Sequence, residues 1–96
     1  GYYWGKYSYT YHDLLKNPGE TARAAHVATL QDIIATSNEK DLRTPPGIHA
    51  ELGNLLSNTD RNDEAAAQYQ AERALYPESA VFLQRLLVKP KTGAEE

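Results

Sequence analysis

Apolar residues recur at intervals of three and four through the middle of the chain, and this spacing predicts amphipathic helices. One predicted helix runs from Pro18 or Glu20 to about Lys40, with an apolar stripe of Ala24, Val27, Leu30, Ile33 and Ile34. A second begins after Pro46, and its buried face consists of Ile48, Leu52, Leu55 and Leu56. A third ends before Pro77, and its inner face carries Ala65, Tyr69 and Tyr76. These patterns predict an all-α fold.

Polar residues before the later helices indicate how those helices start. We expect Thr44 to cap the helix that follows Pro45-Pro46, because threonine accepts backbone N–H bonds and proline presets the first turn. Asn62 or Asp63 is expected to cap the next helix, after a turn over residues 57–60. The two helices would then form a hairpin.

The first segment is unusually aromatic, since six of the nine aromatic residues lie between residues 2 and 11. Tyr7, Tyr9 and Tyr11 alternate with polar residues, as they would in a strand. Tyr7 and Tyr11 also share a helical face with Leu14. We favour a short helix, which Asn17-Pro18-Gly19 would end.

A chain of 96 residues is long enough for one modest core and too short for a separate catalytic domain. We predict a single helical domain over residues 1–88. It would comprise a short aromatic helix and a long helix in residues 1–44, a helical hairpin in residues 46–79, and a capping helix in residues 79–88. Residues 89–96 are predicted to be a disordered tail.

Small and large apolar residues alternate in the predicted hairpin at Leu52-Gly53, Leu56, Ala65 and Tyr69, and Pro77 closes it. With these residues, the range 46–79 resembles one tetratricopeptide repeat, a helix-turn-helix unit. Gly53 and Ala65 would be the small residues that let the two helices approach closely. The chain departs from the repeat at His49, where a large aromatic is usual, and at Glu72, where a small residue is usual. A charged Glu72 on the inner face would need a partner or a wet groove.

Four motifs are spread along the chain: Tyr3-Trp4-Gly5 with Tyr7, Asn17-Pro18-Gly19, Pro45-Pro46-Gly47 with Glu51 and Gly53, and Tyr76-Pro77-Glu78-Ser79. Through these motifs nearly the whole chain, from Tyr3 to Phe82, is also similar to a family of small, uncharacterised bacterial lipoproteins. This resemblance implies a protein of the bacterial cell envelope, at the periplasmic face of the outer membrane, that assists an assembly or secretion complex. It also implies a precursor with a signal peptide and a lipidated cysteine. The sequence has no cysteine, so the anchor is inferred from the resemblance alone.

Charge and hydropathy limit the expected partners. The chain has 10 basic and 13 acidic side chains, a net charge of -3, and no basic block that could neutralise a run of phosphates. We therefore do not expect nucleic acid as a partner. No apolar run reaches the length of about 18 residues that a membrane span needs, so membrane attachment would depend on the lipid anchor.

Residues suited to catalysis or metal binding are sparse in the sequence. The histidines, His12, His26 and His49, are not spaced as metal ligands, and no serine lies in a nucleophile-elbow motif. The glycines do not form a phosphate-binding loop. We therefore predict a non-enzymatic protein without metal or cofactor.

The function that we predict is that of an adaptor, which binds another envelope protein or lipoprotein through a helical groove. By resemblance to tetratricopeptide grooves, the first helix of the hairpin would supply the contact residues, namely Ala50, Asn54, Ser57 and Asn58.

The aromatic segment supports two alternative functions. One is glycan or peptidoglycan binding through the set Tyr2, Tyr3, Trp4 and Tyr9, because sugar rings stack on aromatic side chains. The other is self-association through the same segment. Packing under the repeat is the expected use of Trp4, Tyr7 and Tyr11, whereas Tyr2, Tyr3 and Tyr9 are the better candidates for exposure.

Overall fold

The computed structural model describes residues 1–79, and this part of the chain is all-helical without a strand. Its helices are α1 (Tyr7–Lys16), α2 (Glu20–Glu39), α3 (Ile48–Ser57) and α4 (Asn62–Leu75), followed by a 3₁₀ turn (Pro77–Ser79). Each helix packs on the next one along the chain. The capping helix predicted for residues 79–88 and the tail predicted for residues 89–96 lie, from residue 80 onward, outside the described residues.

Two helices, α1 and α4, end before a proline, as the sequence predicted. α1 stops at Lys16, directly before Asn17-Pro18-Gly19, and the predicted short N-terminal helix is confirmed. α4 stops at Leu75, two residues before Pro77. Proline has no backbone N–H and cannot continue the helical hydrogen-bond ladder.

The buried face of α2 is rotated from the predicted stripe. Leu30 and Ile33 are fully buried, and Val27 and Ile34 pack partly against the core, but Ala24 is exposed. The buried residues of α2 are Ala22, His26, Thr29, Leu30, Ile33 and Ser37. Alanine fits an apolar pattern whether it is buried or exposed, so Ala24 did not reveal how the helix is rotated. The sequence alone therefore did not show that polar His26 and Ser37 belong to the inner face.

The start of α3 differs from the prediction, because Thr44 is not its cap. The helix begins after Gly47, which has a left-handed φ of 91° and no side chain that could accept an N–H of the first turn. The cap comes from α4: the Glu72 carboxylate accepts the N–H of Gly47 at 2.9 Å and the N–H of Ala50 at 3.3 Å. A negative charge at a helix N-terminus is favourable, and it gives the buried Glu72 the partner that it needed. Thr44 is buried, and its carbonyl accepts the Tyr76 hydroxyl.

The start of α4 also differs, since neither Asn62 nor Asp63 caps it. Arg61 occupies the cap position, and Asn62 is already the first helical residue. The Thr59 hydroxyl accepts the N–H of Arg61 at 3.2 Å. Asp63 lies in the first turn, where its charge is still favourable for the helix dipole.

The two helices of the predicted hairpin, α3 and α4, approach closely at Gly53. A Cβ atom at this position would lie 2.7 Å from Cε1 of the Tyr69 ring. The close contact at Gly53 is therefore with an aromatic ring of α4, whereas Ala65 belongs to the core cluster. That cluster joins α2, α3 and α4 and consists of Leu30, Ile33, Ile48, Leu52, Leu56 and Ala65.

We expect Gly53→Ala to lower the free energy of unfolding by about 1–3 kcal/mol, because the added methyl group overlaps the Tyr69 ring. In a Tyr69→Ala background the same substitution should stabilise the protein by up to about 1 kcal/mol, since alanine favours helix more than glycine does. Urea unfolding of the four proteins measures both differences. Equal losses in the two backgrounds would contradict the proposed contact.

Candidate functional site

Four aromatic side chains form a continuous row along one side of α1, and we call this row the aromatic ladder. The rings of Tyr2 and Trp4 lie 6.4 Å apart edge to face, and those of Trp4 and Tyr7 lie 5.5 Å apart edge to face. Tyr7 and Tyr11 stack at 5.7 Å with an interplanar angle of 12°. Such edge-to-face and stacked pairs favour a fixed geometry.

The ladder is more exposed than the sequence predicted. Tyr7 packs against the core as expected, but Trp4 is 43% exposed and Tyr11 is 37% exposed. Tyr2, at 44%, is exposed as expected. The residues before Tyr7 are not helical, so Trp4 cannot follow the inner face of α1 under the fold. Large aromatic side chains that remain exposed side by side are typical of interaction surfaces.

The ladder is held in place by a carboxylate of α3. The Tyr7 hydroxyl donates to Oε1 of Glu51 at 2.5 Å, and Nε2 of the fully buried His26 lies 2.7 Å from Oε2. Nδ1 of His26 lies 2.7 Å from the hydroxyl of buried Thr10. This network, which we call the Glu51 clasp, joins α1, α2 and α3.

Burial of the Tyr7 phenol and its hydrogen bond to Glu51 both shift the pKa of Tyr7 upward. Partial desolvation of its phenol, then the neighbouring carboxylate, raise the pKa of Tyr7 well above its ordinary value of 10.0. The phenol therefore stays protonated and keeps donating to Glu51 far into the alkaline range.

The polar groups of the Glu51 clasp are hydrogen-bonded to one another. A hydroxyl, an imidazole and a carboxylate in a row can transfer protons in enzymes. Here, however, His26 is fully buried, and the Thr10 hydroxyl also lies 3.3 Å from the carbonyl of Lys6, the residue directly before α1. We interpret the clasp as a structural network that positions α1.

The four contact residues predicted on α3 share one helical face, which we call the α3 polar face. Ala50 is half-buried, while Asn54, Ser57 and Asn58 are exposed. Glu51 precedes Asn54 by three residues and Asn58 by seven, so it lies on the same side of the helix. Through Tyr7, the Glu51 clasp therefore places the aromatic ladder beside the α3 polar face.

Two of these polar side chains have partners within the fold. The Tyr69 hydroxyl donates to Oδ1 of Asn54 at 2.6 Å, which leaves the Nδ2 group of the same amide as the outward donor. The Ser57 hydroxyl donates to the carbonyl of Asn54 at 2.9 Å. The orientation of Asn54 is thus fixed before any partner arrives.

The aromatic residues proposed for glycan binding do not form one surface. Tyr2 and Trp4 belong to the aromatic ladder, whereas Tyr3 and Tyr9 line a groove between α1 and α2. Positions two residues apart on a helix point about 200° apart, so Tyr9 and Tyr11 lie on opposite sides of α1.

The ladder is connected to the end of α4 through Tyr76. The Tyr76 hydroxyl donates to the carbonyl of Thr44 at 2.6 Å and lies 3.4 Å from the Tyr2 hydroxyl. The Arg43 guanidinium lies 5.0 Å from the centre of the Tyr76 ring. Burial, then the contact with Tyr2, raise the pKa of Tyr76 to about 12.

Sequence reasoning missed the Glu51 clasp, although one signal for it was present. Ala22, His26, Leu30, Ile33 and Ser37 are spaced by three and four, so His26 continues the buried stripe in the N-terminal direction. A histidine in such a stripe requires a polar partner on a neighbouring element. The sequence does not indicate that this partner is Glu51.

Neither a metal site nor a membrane span is found in the described part of the chain. Within residues 1–79, no three His, Asp or Glu side chains are grouped so that they could hold a metal ion. None of the helices in this range has the length and apolar character needed to cross a bilayer.

The raised pKa of Tyr76 predicts how stability changes with pH. Between pH 10 and about 12 the unfolded chain has lost a proton that folded Tyr76 retains, so the free energy of unfolding should fall as pH rises. Tyr7, whose pKa is also raised, should add to this loss. Urea unfolding along a pH series measures it, and Tyr76→Phe should reduce the slope. An identical slope in the variant would contradict the assignment.

Among comparisons of the chain with known proteins, the comparison with protein families gives a match. No curated protein and no solved structure matches the chain. A family model described as a domain of unknown function, DUF4810, matches residues 2–86, which include the aromatic ladder, the Glu51 clasp and the α3 polar face. The chain therefore belongs to the DUF4810 family.

Proposed function

We propose that this domain is a non-enzymatic adaptor, which binds an envelope protein through the aromatic ladder and the adjoining α3 polar face. The observation that carries the proposal is the exposure of Tyr2, Trp4 and Tyr11 in one continuous row. Exposed aromatics of this kind concentrate binding energy in protein interfaces, because each supplies a large apolar area and few rotatable bonds.

The two parts of the surface suit an extended segment of a partner protein. The ladder offers apolar area for side chains, while Nδ2 of Asn54 offers a donor for a backbone carbonyl. Internal hydrogen bonds orient both parts, since Tyr7 of the ladder donates to Glu51 at 2.5 Å and Tyr69 donates to Asn54 at 2.6 Å. A surface that is already ordered loses little conformational entropy on binding.

The proposed location is the bacterial cell envelope, where the protein would be a lipoprotein facing the periplasm from the outer membrane. The support is the similarity of the motifs between Tyr3 and Ser79 to small envelope lipoproteins. The tetratricopeptide-like identity of the α3–α4 hairpin is likewise a proposal, supported by the approach of the two helices at Gly53.

We expect the full-length protein, purified from membranes, to carry acyl chains on an N-terminal cysteine of its mature form. Intact-mass measurement before and after mild alkaline hydrolysis of esters reports such chains, because ester-linked acyl groups are released. A mature protein of unmodified mass that is recovered without detergent would contradict the proposed anchoring, although it would leave the adaptor function open.

The adaptor function can be tested by placing a photo-crosslinking amino acid at position 58, beside Asn54, in the full-length protein in its native envelope. The captured partner is then purified, and its affinity is measured for variants of this domain. We expect Trp4→Ala to weaken binding about tenfold or more, as for a central interface aromatic. Asn54→Arg should weaken it comparably, by replacing a donor that Tyr69 holds in place.

Tyr9→Ala is the matched control, because Tyr9 is 75% exposed but lies on the opposite side of α1 from Tyr11. It should leave the affinity unchanged, and circular dichroism should show the same helix content in all variants. If the captured partner is a second copy of the chain, sedimentation will show a dimer that Trp4→Ala dissociates. Equal affinity of the Trp4→Ala and Tyr9→Ala proteins would contradict the proposed surface.

A further inference from the structure

A groove of about 540 Å³ runs between α1 and α2, on the side of α1 opposite Tyr11, and we call it the tyrosine groove. The residues that line it include Tyr3, Lys6 and Tyr9 from the N-terminal segment and α1, and Ala25, Ala28 and Asp32 from α2. The short side chains of Ala25 and Ala28 leave space for a ligand near the backbone of α2. Its volume falls within the range of small-ligand sites, which is roughly 300–1,000 Å³.

The two tyrosines differ in how firmly they are held. The Tyr3 hydroxyl donates to Oδ2 of Asp32 at 2.8 Å, and the Lys40 ammonium lies 5.3 Å from the centre of the Tyr3 ring. Tyr3 is therefore fixed on α2 before a ligand arrives. Tyr9 is 75% exposed, so its ring is accessible to a ligand.

Charges of both signs determine which ligand suits the groove. Lys6 forms no ion pair within residues 1–79 and can donate hydrogen bonds. Asp32 accepts hydroxyls of Tyr3 and Thr36 and has lone pairs to spare. A phosphate would be repelled by Asp32, a cation would be repelled by Lys6, and a wholly apolar ligand would leave both charges desolvated.

We propose that the tyrosine groove binds a neutral saccharide, with the apolar face of a sugar ring against Tyr9 and its hydroxyls between Lys6 and Asp32. A sugar hydroxyl both donates and accepts, so a polyol satisfies an ammonium and a carboxylate together. This site uses Tyr3 and Tyr9 of the four aromatic residues first considered for glycans. It is separate from the protein-binding surface, and either proposal can hold without the other.

The test is a nuclear magnetic resonance titration of the ¹⁵N-labelled chain with a neutral N-acetylglucosamine trimer, which is a soluble probe for the site. We expect a dissociation constant on the order of 1 mM, as for a shallow open groove, with the amides of Ala25, Ala28 and Thr29 perturbed most. Tyr9→Ala should weaken binding about five- to tenfold through the lost ring contact, while Tyr9→Phe should bind like the unaltered chain.

Tyr11→Ala removes an aromatic residue from the other side of the same helix and serves as the matched control. It should bind the trimer with unchanged affinity, whereas Trp4→Ala and Tyr11→Ala act on the protein-binding surface alone. Inorganic phosphate is titrated in parallel and should leave the amides of the groove unperturbed. The proposal is overturned if no groove amide is perturbed at a trimer concentration of about twenty times the expected dissociation constant. It is also overturned if the Tyr9→Ala protein binds the trimer with unchanged affinity, or if phosphate binds and the trimer does not.

Discussion

The arrangement of the N-terminal half depends on one carboxylate, that of Glu51. Its two oxygens accept hydrogen bonds from Tyr7 of α1 and His26 of α2, so three helices meet at a single side chain of α3. Hydrogen bonds to charged groups contribute about 1.5–3 kcal/mol each, and the loss of the acceptor would also leave a fully buried imidazole without its partner. Apolar packing alone permits a short helix to slide or rotate on its neighbour. The Glu51 clasp fixes both the position and the rotation of α1.

The fixed rotation of α1 separates the surfaces on its two sides. With Tyr7 directed at Glu51, Tyr11 falls on the side of the aromatic ladder, beside Tyr7 and His26, and Tyr9 falls on the side of the tyrosine groove. A rotation of α1 by one residue, about 100°, would bury Tyr11 or withdraw Tyr9 from the groove. The buried hydrogen bonds of the Glu51 clasp therefore determine on which side of α1 each exposed aromatic residue lies.

The sequence was sufficient to predict where the helices lie, but it was not sufficient to predict which side chains join them. Apolar spacing and the positions of Pro18, Gly53 and Pro77 predicted the helices and a close approach at α3. The cap of α3 and the clasp could not be predicted, because in both cases the partners are 25 residues apart: Glu72 reaches the N–H of Gly47, and Glu51 reaches His26. Periodicity shows which face of a helix is buried, but it does not show which faces meet.

The residues before α1 also make contacts that spacing in the sequence does not predict. Residues 2–4 are not helical, and their side chains alternate: Tyr2 reaches Tyr76, Tyr3 reaches Asp32, and Trp4 contacts Tyr7. The strand-like alternation of Tyr7, Tyr9 and Tyr11 in the sequence thus does not correspond to a strand, since all three residues lie in α1. Adjacent residues of one non-helical segment therefore contribute to two separate surfaces: Tyr3 is hydrogen-bonded to Asp32 of α2 beside the tyrosine groove, and Tyr2 and Trp4 extend the aromatic ladder beyond the first residue of α1. A pattern of spacing does not distinguish these roles, because the contacts of each residue are made with a different, distant part of the chain.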